Sequence, residues 1–282
     1  MIESFNLAIA IPDSALSDEM TKRDKTIKVS QFARACSIFR VNQIYIYHDD
    51  TSPPRSNDYH LLKTLLCYLD TPQYLRKQLF PHMKELEFAG ILHPLKSPHH
   101  KQRQDAKDIK IGDIRVGVIV DIKGSLYVNA GLEPLVKFIG PGVVGQKVNI
   151  KFTSIYPILQ ATEADEKDIK GIYWGYKVNA VPSLLTLLKR INDSEIVITS
   201  RKGSCLSSIE PKFVERMKST QRLLVIFGSP QRGIPEMLTR TGYDKDKYGF
   251  MINMFPFQGT ATVRLEEAML GTLAIVNHIV NR

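Results

Sequence analysis

The hydrophobic pattern changes character twice along the chain. Over residues 1–91, short β-branched runs alternate with helical spacing. Leu7 to Ile11 reads as a buried strand, Ile27 to Phe39 as a helix with apolar Ile27, Phe32, Ala35, Ile38 and Phe39, and Ile44 to Tyr47 as a second strand. A strand, a helix and a strand with a long connection form a parallel βαβ unit. Tyr59 to Leu69 and Pro72 to Leu79 predict two more helices, with Pro72 suited to a first turn. From Ile111 the pattern becomes all-β: Asp113 to Asp121, Leu126 to Asn129, Leu135 to Ile139 and Gln146 to Thr153 are short strands parted by glycines 124, 131, 140, 142 and 145. That spacing indicates a small barrel or sandwich. After Thr162 the alternation resumes, with strands at Glu195 to Thr199, Arg222 to Phe227 and Phe250 to Asn253, and helices at Val181 to Arg190, Pro211 to Ser219 and Thr262 to Val280. The expected architecture is an α/β domain built from residues 1–91 and 161–282, with a small β-barrel domain, 92–160, inserted in a loop.

Composition adds exclusions. A chain of 282 residues with 43% hydrophobic and 24% charged positions is that of an ordinary globular protein, which removes the disordered, collagen-like and coiled-coil classes. The longest apolar runs, such as Leu223 to Phe227, have strand length and fall well short of the ~18 residues of a membrane span, so no membrane partner is expected. The opening Met1-Ile2-Glu3 lacks the features of a secretory signal, and a cytoplasmic location is the expectation. Cys36, Cys67 and Cys205 form no CxxC pair and suggest neither a disulfide framework nor a thiolate zinc site. Net charge changes the picture more. At +9 it favours a polyanionic partner, and from Ile91 to Gln160 ten Lys/Arg stand against five Asp/Glu, so +5 of the +9 comes from the segment that holds the barrel. A solvated lysine-rich surface would look the same.

In open α/β sheets ligands bind beyond the carboxyl ends of the strands. Three Gly-bearing stretches are expected there: Thr199-Ser200-Arg201-Lys202-Gly203, Phe227-Gly228-Ser229-Pro230-Gln231-Arg232-Gly233, and Asn253-Met254-Phe255-Pro256-Phe257-Gln258-Gly259-Thr260. Each alone reads as an ordinary turn. Three at neighbouring strand ends point to a ligand site, because glycine lets backbone donors approach a flat ligand closely. No GxGxxG follows a strand and no GxxxxGK[ST] occurs, so a dinucleotide dehydrogenase and a P-loop NTPase are unsupported. His93, His99 and His100 cluster in sequence without a matching Cys or carboxylate spacing, which favours surface or RNA-contacting imidazoles over a metal site.

The second and third stretches, the latter continued through Ala261-Thr262-Val263-Arg264-Leu265-Glu266-Glu267-Ala268, resemble the C-terminal signature of SPOUT-class RNA methyltransferases. With Arg34-Ala35-Cys36-Ser37-Ile38-Phe39, Pro72-Gln73-Tyr74-Leu75-Arg76-Lys77, Ser97-Pro98-His99-His100 and Tyr173-Trp174-Gly175-Tyr176-Lys177-Val178, the chain is similar to the archaeal and eukaryotic group that carries an inserted OB-fold. The resemblance implies a C-terminal trefoil knot, S-adenosylmethionine held in the crossing loops, and a homodimer. It places Thr199, Ser200, Gly203, Phe227, Gly228, Ser229, Pro230, Gly233, Asn253, Pro256, Gln258, Gly259 and Thr260 around that cofactor. Arg34 matches a recurrent arginine of the class and is the leading catalytic candidate. A guanidinium is a poor proton acceptor, so its expected role is to hold phosphate or developing negative charge. A surface helix arginine is the competing account.

Glu266 is a further catalytic candidate, with compensation of the helix dipole as its alternative, and Asn6 is a weaker one. Arg264 either faces RNA or pairs with Glu266 or Glu267. In the insert, Lys101, Arg103 and Lys107 are the expected phosphate contacts on a flexible loop, while Tyr127, Phe138 and Phe152 could stack on bases or fill the barrel. Two function classes stand: a methyltransferase acting on a base of ribosomal RNA without a metal, and a non-catalytic RNA-binding factor that keeps the fold.

Overall fold

The computed structural model describes residues 5–50, 53–102, 104–191, 193–239 and 249–281; Arg103 lies outside them. In chain order the elements are β1 (Asn6–Pro12), α1 (Lys22–Ile38), β2 (Val41–Tyr47), α2 (Asn57–Asp70), α3 (Gln73–Leu79), β3 (Ile114–Ile122), β4 (Ser125–Asn129), β5 (Val136–Phe138), β6 (Lys147–Phe152), β7 (Gln160–Glu163), β8 (Lys177–Val181), α4 (Leu184–Arg190), β9 (Glu195–Cys205), α5 (Leu206–Ser219), β10 (Arg222–Ile226), α6 (Ile234–Thr239), β11 (Phe250–Asn253) and α7 (Leu265–Val280). They form two compact units, one of Met1–Leu69, Lys84–Leu95 and Gly175–Arg282, the other of Asp70–Met83 and Lys96–Trp174. The expected insert, 92–160, thus omits segment 70–83 and stops short of Trp174.

The first unit is a six-stranded parallel sheet in the order β11-β9-β10-β1-β2-β8. Leu223, Leu224, Val225 and Ile226 of β10 have no exposed surface, as expected of a parallel strand covered on both faces. Alternate residues go to opposite sides. Leu7, Ile9, Ile11, Leu223 and Val225 join a core with α1, α2, α5 and α7, while Ala10, Leu224 and Ile226 join a second core with α4 and α6. Helix α1 starts at Lys22, a turn before the expected position, because the Thr21 hydroxyl accepts the Asp24 N–H at 3.1 Å and caps it. Strand β8 was not expected, and it takes Val181 from the start of the expected helix; Ser183 caps α4 by accepting the Thr186 N–H, and the half-exposed Lys177–Val181 pairs with β2 at the sheet edge.

The second unit is a closed barrel, β3-β4-β5-β7-β6, antiparallel except where β5 meets β7. The short β7, unseen in the sequence pattern, closes it. Phe138 and Phe152 are core residues packed with Ile119, Val128 and Ile150. Segment 70–83 belongs to this unit because Leu75 of α3 packs on Val116 and Val118. Arg115, only 1% exposed, is the most conspicuous buried cation. It donates to the Ala130 and Gln102 carbonyls and to Gln104 Oε1, and lies 5.2 Å from the Tyr74 ring centroid. Those bonds hold Gln102 and Gln104, two residues within the basic stretch 99–110 that was expected to be a flexible loop. The Asp105 carboxylate also accepts the Lys107 N–H, and Ala106 and Ile109 are buried in the barrel core.

His99 is buried and His100 half-buried, which removes them from the expected surface; each donates its Nε2 hydrogen to the Asp70 carbonyl, at 2.8 and 3.0 Å. Burial favours the uncharged imidazole and pushes His100 down to about 4. Burial alone would raise the Asp70 carboxyl, but the hydrogen bond from His99 and the charge of Lys147 outweigh it and hold the group below its usual value. An unfolded His100 binds a proton near its ordinary pKa of 6.5, so its stabilising contribution is complete above that pH and is lost as the pH falls toward about 4. The Asp70 contribution is lost below that. Trp174 is the sole tryptophan and donates to Asn149 in this same unit, so its fluorescence reports there. Its thermal midpoint in the full chain should drop between pH ~6.5 and ~4, with a slope of at most ~1.4 kcal/mol per pH unit from one proton. A His100→Gln variant should flatten that dependence; a midpoint insensitive to pH in the wild type refutes the account.

Candidate active site

The carboxyl ends of β9, β10 and β11 open on a cleft of about 460 Å³. Strand β9 departs from expectation. It continues to Cys205, and its pairing with β11 jumps from Ile198–Met251 to Ser204–Ile252. Residues 199–203 are therefore an excursion within a strand and do not form a loop after it. A Cβ on Gly203 would come within 2.7 Å of the Ile252 backbone, so only glycine lets the two strands rejoin. After β10, Gly228 opens a tight turn in which the Ser229 N–H donates to the Arg232 carbonyl at 2.9 Å and the Arg232 N–H donates to Ser229 Oγ at 3.0 Å. A Cβ on Gly228 would lie 2.9 Å from that Arg232 carbonyl. After β11, Asn253 closes its own turn by accepting the Phe255 N–H.

Of the residues singled out in the sequence, Thr199, Ser200, Phe227, Gly228, Ser229, Pro230, Gly233, Asn253, Gln258 and Arg264 line this cleft. Gly203 ends the excursion but is not a lining residue, and Pro256, Gly259 and Thr260 belong to the β11–α7 connection outside the lining. Asn6 pairs with Arg222 at the amino end of the sheet, the opposite end from the cleft. Arg34 is not among the lining residues; its Nη1 donates to the carbonyls of Pro94 and Leu95, at 3.3 and 3.2 Å. The two acids of α7 divide their work. Glu267 reaches back to accept the Arg264 N–H at 2.9 Å and caps the helix. Glu266 lies 3.2 Å from the ammonium of Lys28, and Arg264 pairs with Glu19 and Glu266. Lys101 and Lys107 are exposed on the barrel unit.

Spacing could not reveal the charges beneath the cleft. Lys28 is 2% exposed, and its ammonium contacts both Asp18 oxygens, at 2.5 and 2.6 Å. Asp18 lines the cleft. Among the described residues the hydroxyl of Thr272, buried against the same space, has no hydrogen-bond partner. A second group occupies the ends of β1 and β2. Asp13 and Asp49 are 2% and 3% exposed. Asp13 accepts the Asp49 N–H and binds His48 Nδ1 at 2.7 Å; Asp49 accepts the Ser14 hydroxyl at 2.6 Å and the Arg232 Nη2 donor. The Tyr47 hydroxyl donates to the Phe227 carbonyl at 2.7 Å, fixing the start of the β10 turn. Burial, with Asp49 and Asp13 next, pushes that phenol well above its usual value. Among the described residues no cluster of His, Cys, Asp and Glu could hold a metal ion, and no helix is long and apolar enough to cross a membrane.

A family model described as "Putative RNA methyltransferase" matches residues 6–276. The chain belongs to that family of RNA methyltransferases. Two relatives, from Mus musculus and Homo sapiens, are named 28S rRNA (uridine-N(3))-methyltransferase; each is 30% identical over 96% of this chain, covering 75% and 77% of their own lengths. A Drosophila melanogaster protein of the same name is 30% identical over 95% of this chain and 61% of its own length. An RNA methyltransferase requires a methyl donor and an RNA acceptor. The cleft lies in the volume range of small-molecule sites, and its wall carries the close backbone approach at Gly228 and, among the described residues, the unpartnered Thr272 hydroxyl.

Proposed function

We propose that this RNA methyltransferase transfers the methyl group of S-adenosylmethionine to N3 of a uridine in ribosomal RNA, using the cleft at the ends of β9, β10 and β11. The convergence of the three Gly-bearing segments on one cleft carries the reading. When bound there, S-adenosylmethionine supplies a methyl already activated on a sulfonium, so no covalent enzyme intermediate is needed. Backbone groups of the Gly228–Gly233 turn and the residue 199–203 excursion hold the donor, and the remaining work of the chain is to align the acceptor and favour loss of its proton. The acceptor is carried over from the relatives, whose names specify uridine N3.

The SPOUT class, with its C-terminal knot, belongs to the same proposal. Strand β11 lies on the far side of β9 from β10, and α7 then packs on α1, with Cys36 and Met269 in contact, so the chain re-crosses the sheet after β11. That path supports a knotted crossing. For the barrel, the order first-second-third-fifth-fourth, with the third and fifth strands parallel, supports an OB-fold, a platform suited to single-stranded RNA. A homodimer is proposed on the class resemblance, with the exposed Leu270 of α7 available to it.

Purified protein, incubated with radiolabelled S-adenosylmethionine and ribosomal RNA from a strain lacking the gene, should yield labelled N3-methyluridine on nucleoside mass spectrometry. Label in another nucleoside overturns the acceptor, and cofactor binding without transfer to any RNA overturns the catalytic reading.

A further inference from the structure

We infer that Arg232 contacts the acceptor base and stabilises the negative charge that forms on its imide, with Asp49 as the residue that positions it; the inference rests on the uridine-N3 reading above. Among the described residues four cations line the cleft: Arg201, Lys202, Arg232 and Arg264. Three are solvated or committed elsewhere. Arg201 is exposed and donates to the Ala261 carbonyl at 2.6 Å, Lys202 is 72% exposed and pairs with Glu236, and Arg264 is 52% exposed and pairs with Glu19 and Glu266.

Arg232 differs. Its side chain is only 19% exposed. Among the described residues, its one side-chain contact runs from Nη2 to Asp49 Oδ1. Its Nε is buried without a hydrogen-bond partner. An arginine serving only as a counter-charge would be expected to grip its carboxylate with two parallel bonds. Here the other Asp49 oxygen is taken by the Ser14 hydroxyl at 2.6 Å, and Asp49 is itself held through its N–H by buried Asp13. The pairing is thus one-armed, and the anchor cannot turn to accept a second bond. Arg232 lines the cleft, and among the described residues its guanidinium keeps donors beyond the one spent on Asp49. A desolvated, pre-aimed cation of this kind acts most strongly on charge that develops beside it.

The chemistry supplies such a charge. The uracil N3–H lies between two carbonyls, so removing its proton spreads negative charge over N3, O2 and O4. Transfer forms the N3–methyl bond and breaks the methyl–sulfur bond, whose electron pair returns to sulfur as the neutral thioether; the imide proton passes to solvent water. A planar guanidinium against a uracil oxygen favours the ionised acceptor before attack. The carboxylate of the methyl donor is the other oxygen anion that could occupy this place, and the two sources separate experimentally.

The test uses full-length protein, an in-vitro transcript of the host's large-subunit ribosomal RNA made with either UTP or 5-fluoro-UTP, and R232Q with R232K as a second variant. The backbone bonds of the turn survive both substitutions. S-adenosylhomocysteine affinity, read by calorimetry, should stay within about twofold, while single-turnover transfer to the uridine transcript falls by about 100-fold, the usual loss for one oxyanion donor. The pH–rate profile should move to higher pH. Fluorine acidifies the imide, so the 5-fluorouridine transcript should rescue R232Q far more than it speeds the wild type. D49N, which leaves the guanidinium unpinned, should show the same profile shift with a smaller loss. Three results overturn the inference: wild-type rates in R232Q, a parallel loss of S-adenosylhomocysteine affinity, which assigns Arg232 to the donor carboxylate, and absence of fluorouridine rescue. If R232Q does not fold, R232K is judged by the same three. No N3-methyluridine from the wild-type protein overturns the reaction reading itself.

Discussion

Replacing Gly228 with alanine should weaken S-adenosylmethionine binding by about 5- to 150-fold, the range that corresponds to an overpacking cost of roughly 1–3 kcal/mol, with little change in the fold. The added methyl would lie 2.9 Å from the Arg232 carbonyl and 3.3 Å from the Ile234 nitrogen, all backbone atoms that cannot swing aside. The turn must open, and with it the bonds between Ser229 and Arg232 that shape the donor wall. The sheet should be spared, because β10 ends at Ile226 and Tyr47 still holds the Phe227 carbonyl. Gly259→Ala is the matched control: a Cβ there meets nothing within 4 Å. Calorimetric titration of both variants decides the matter, and equal affinities would remove the β10 turn from the donor site.

The contrast between these two glycines shows what the sequence could express. The motif made both look alike, as small residues in a signature; only the backbone reveals that one is sterically obligatory. The same holds for β9. Glu195 to Thr199 was legible as a strand because its apolar run is continuous, but the continuation to Cys205 depends on β11 pairing again at Ser204, a contact between residues far apart in sequence. Helix α1 was legible from its apolar spacing, yet the role of Lys28 on it was not. Its partners, Asp18 and Glu266, come from a loop before the helix and from the far end of the chain. Asp13 and Asp49 were invisible for a related reason: each follows a strand as an ordinary polar residue, and only adjacent strand ends bring them together. By contrast Arg34, the strongest single candidate on resemblance, makes its contacts with the Pro94 and Leu95 carbonyls. A pattern that recurs in a family locates a residue without fixing what its side chain touches.

The basic excess of the barrel segment needs the same treatment before it is read as RNA affinity. Of its ten cations, Arg115 is buried in structural bonds, Lys147 pairs with Asp70 at 3.0 Å, and Lys151 pairs with Asp168 at 2.5 Å. Lys101 is exposed with no ion pair among the described residues, and Lys107 is exposed with its ammonium 5.7 Å from the ring centroid of Tyr156, itself 44% exposed. A cation beside an accessible ring is a suitable pair of contacts for a phosphate and an unstacked base.

Neutralising Lys101, Arg103 and Lys107 together should therefore flatten the salt dependence of RNA binding. Each lost phosphate contact reduces the log–log slope by about 0.7 for single strands, so three contacts remove about 2 from it. Between 50 and 200 mM salt the wild type should lose roughly 20-fold more affinity than the triple variant does. The bonds of Arg115 and of the Asp105 turn do not use the ammonium of Lys101 or Lys107, so the barrel should keep its melting behaviour. Lys151→Ala removes a charge already spent on Asp168 and should leave the slope nearly unchanged. A wild-type slope in the triple variant would make this face a solvated surface and route the RNA over the α/β unit, where Arg201, Lys202 and Arg264 at the cleft would be the next cations to neutralise.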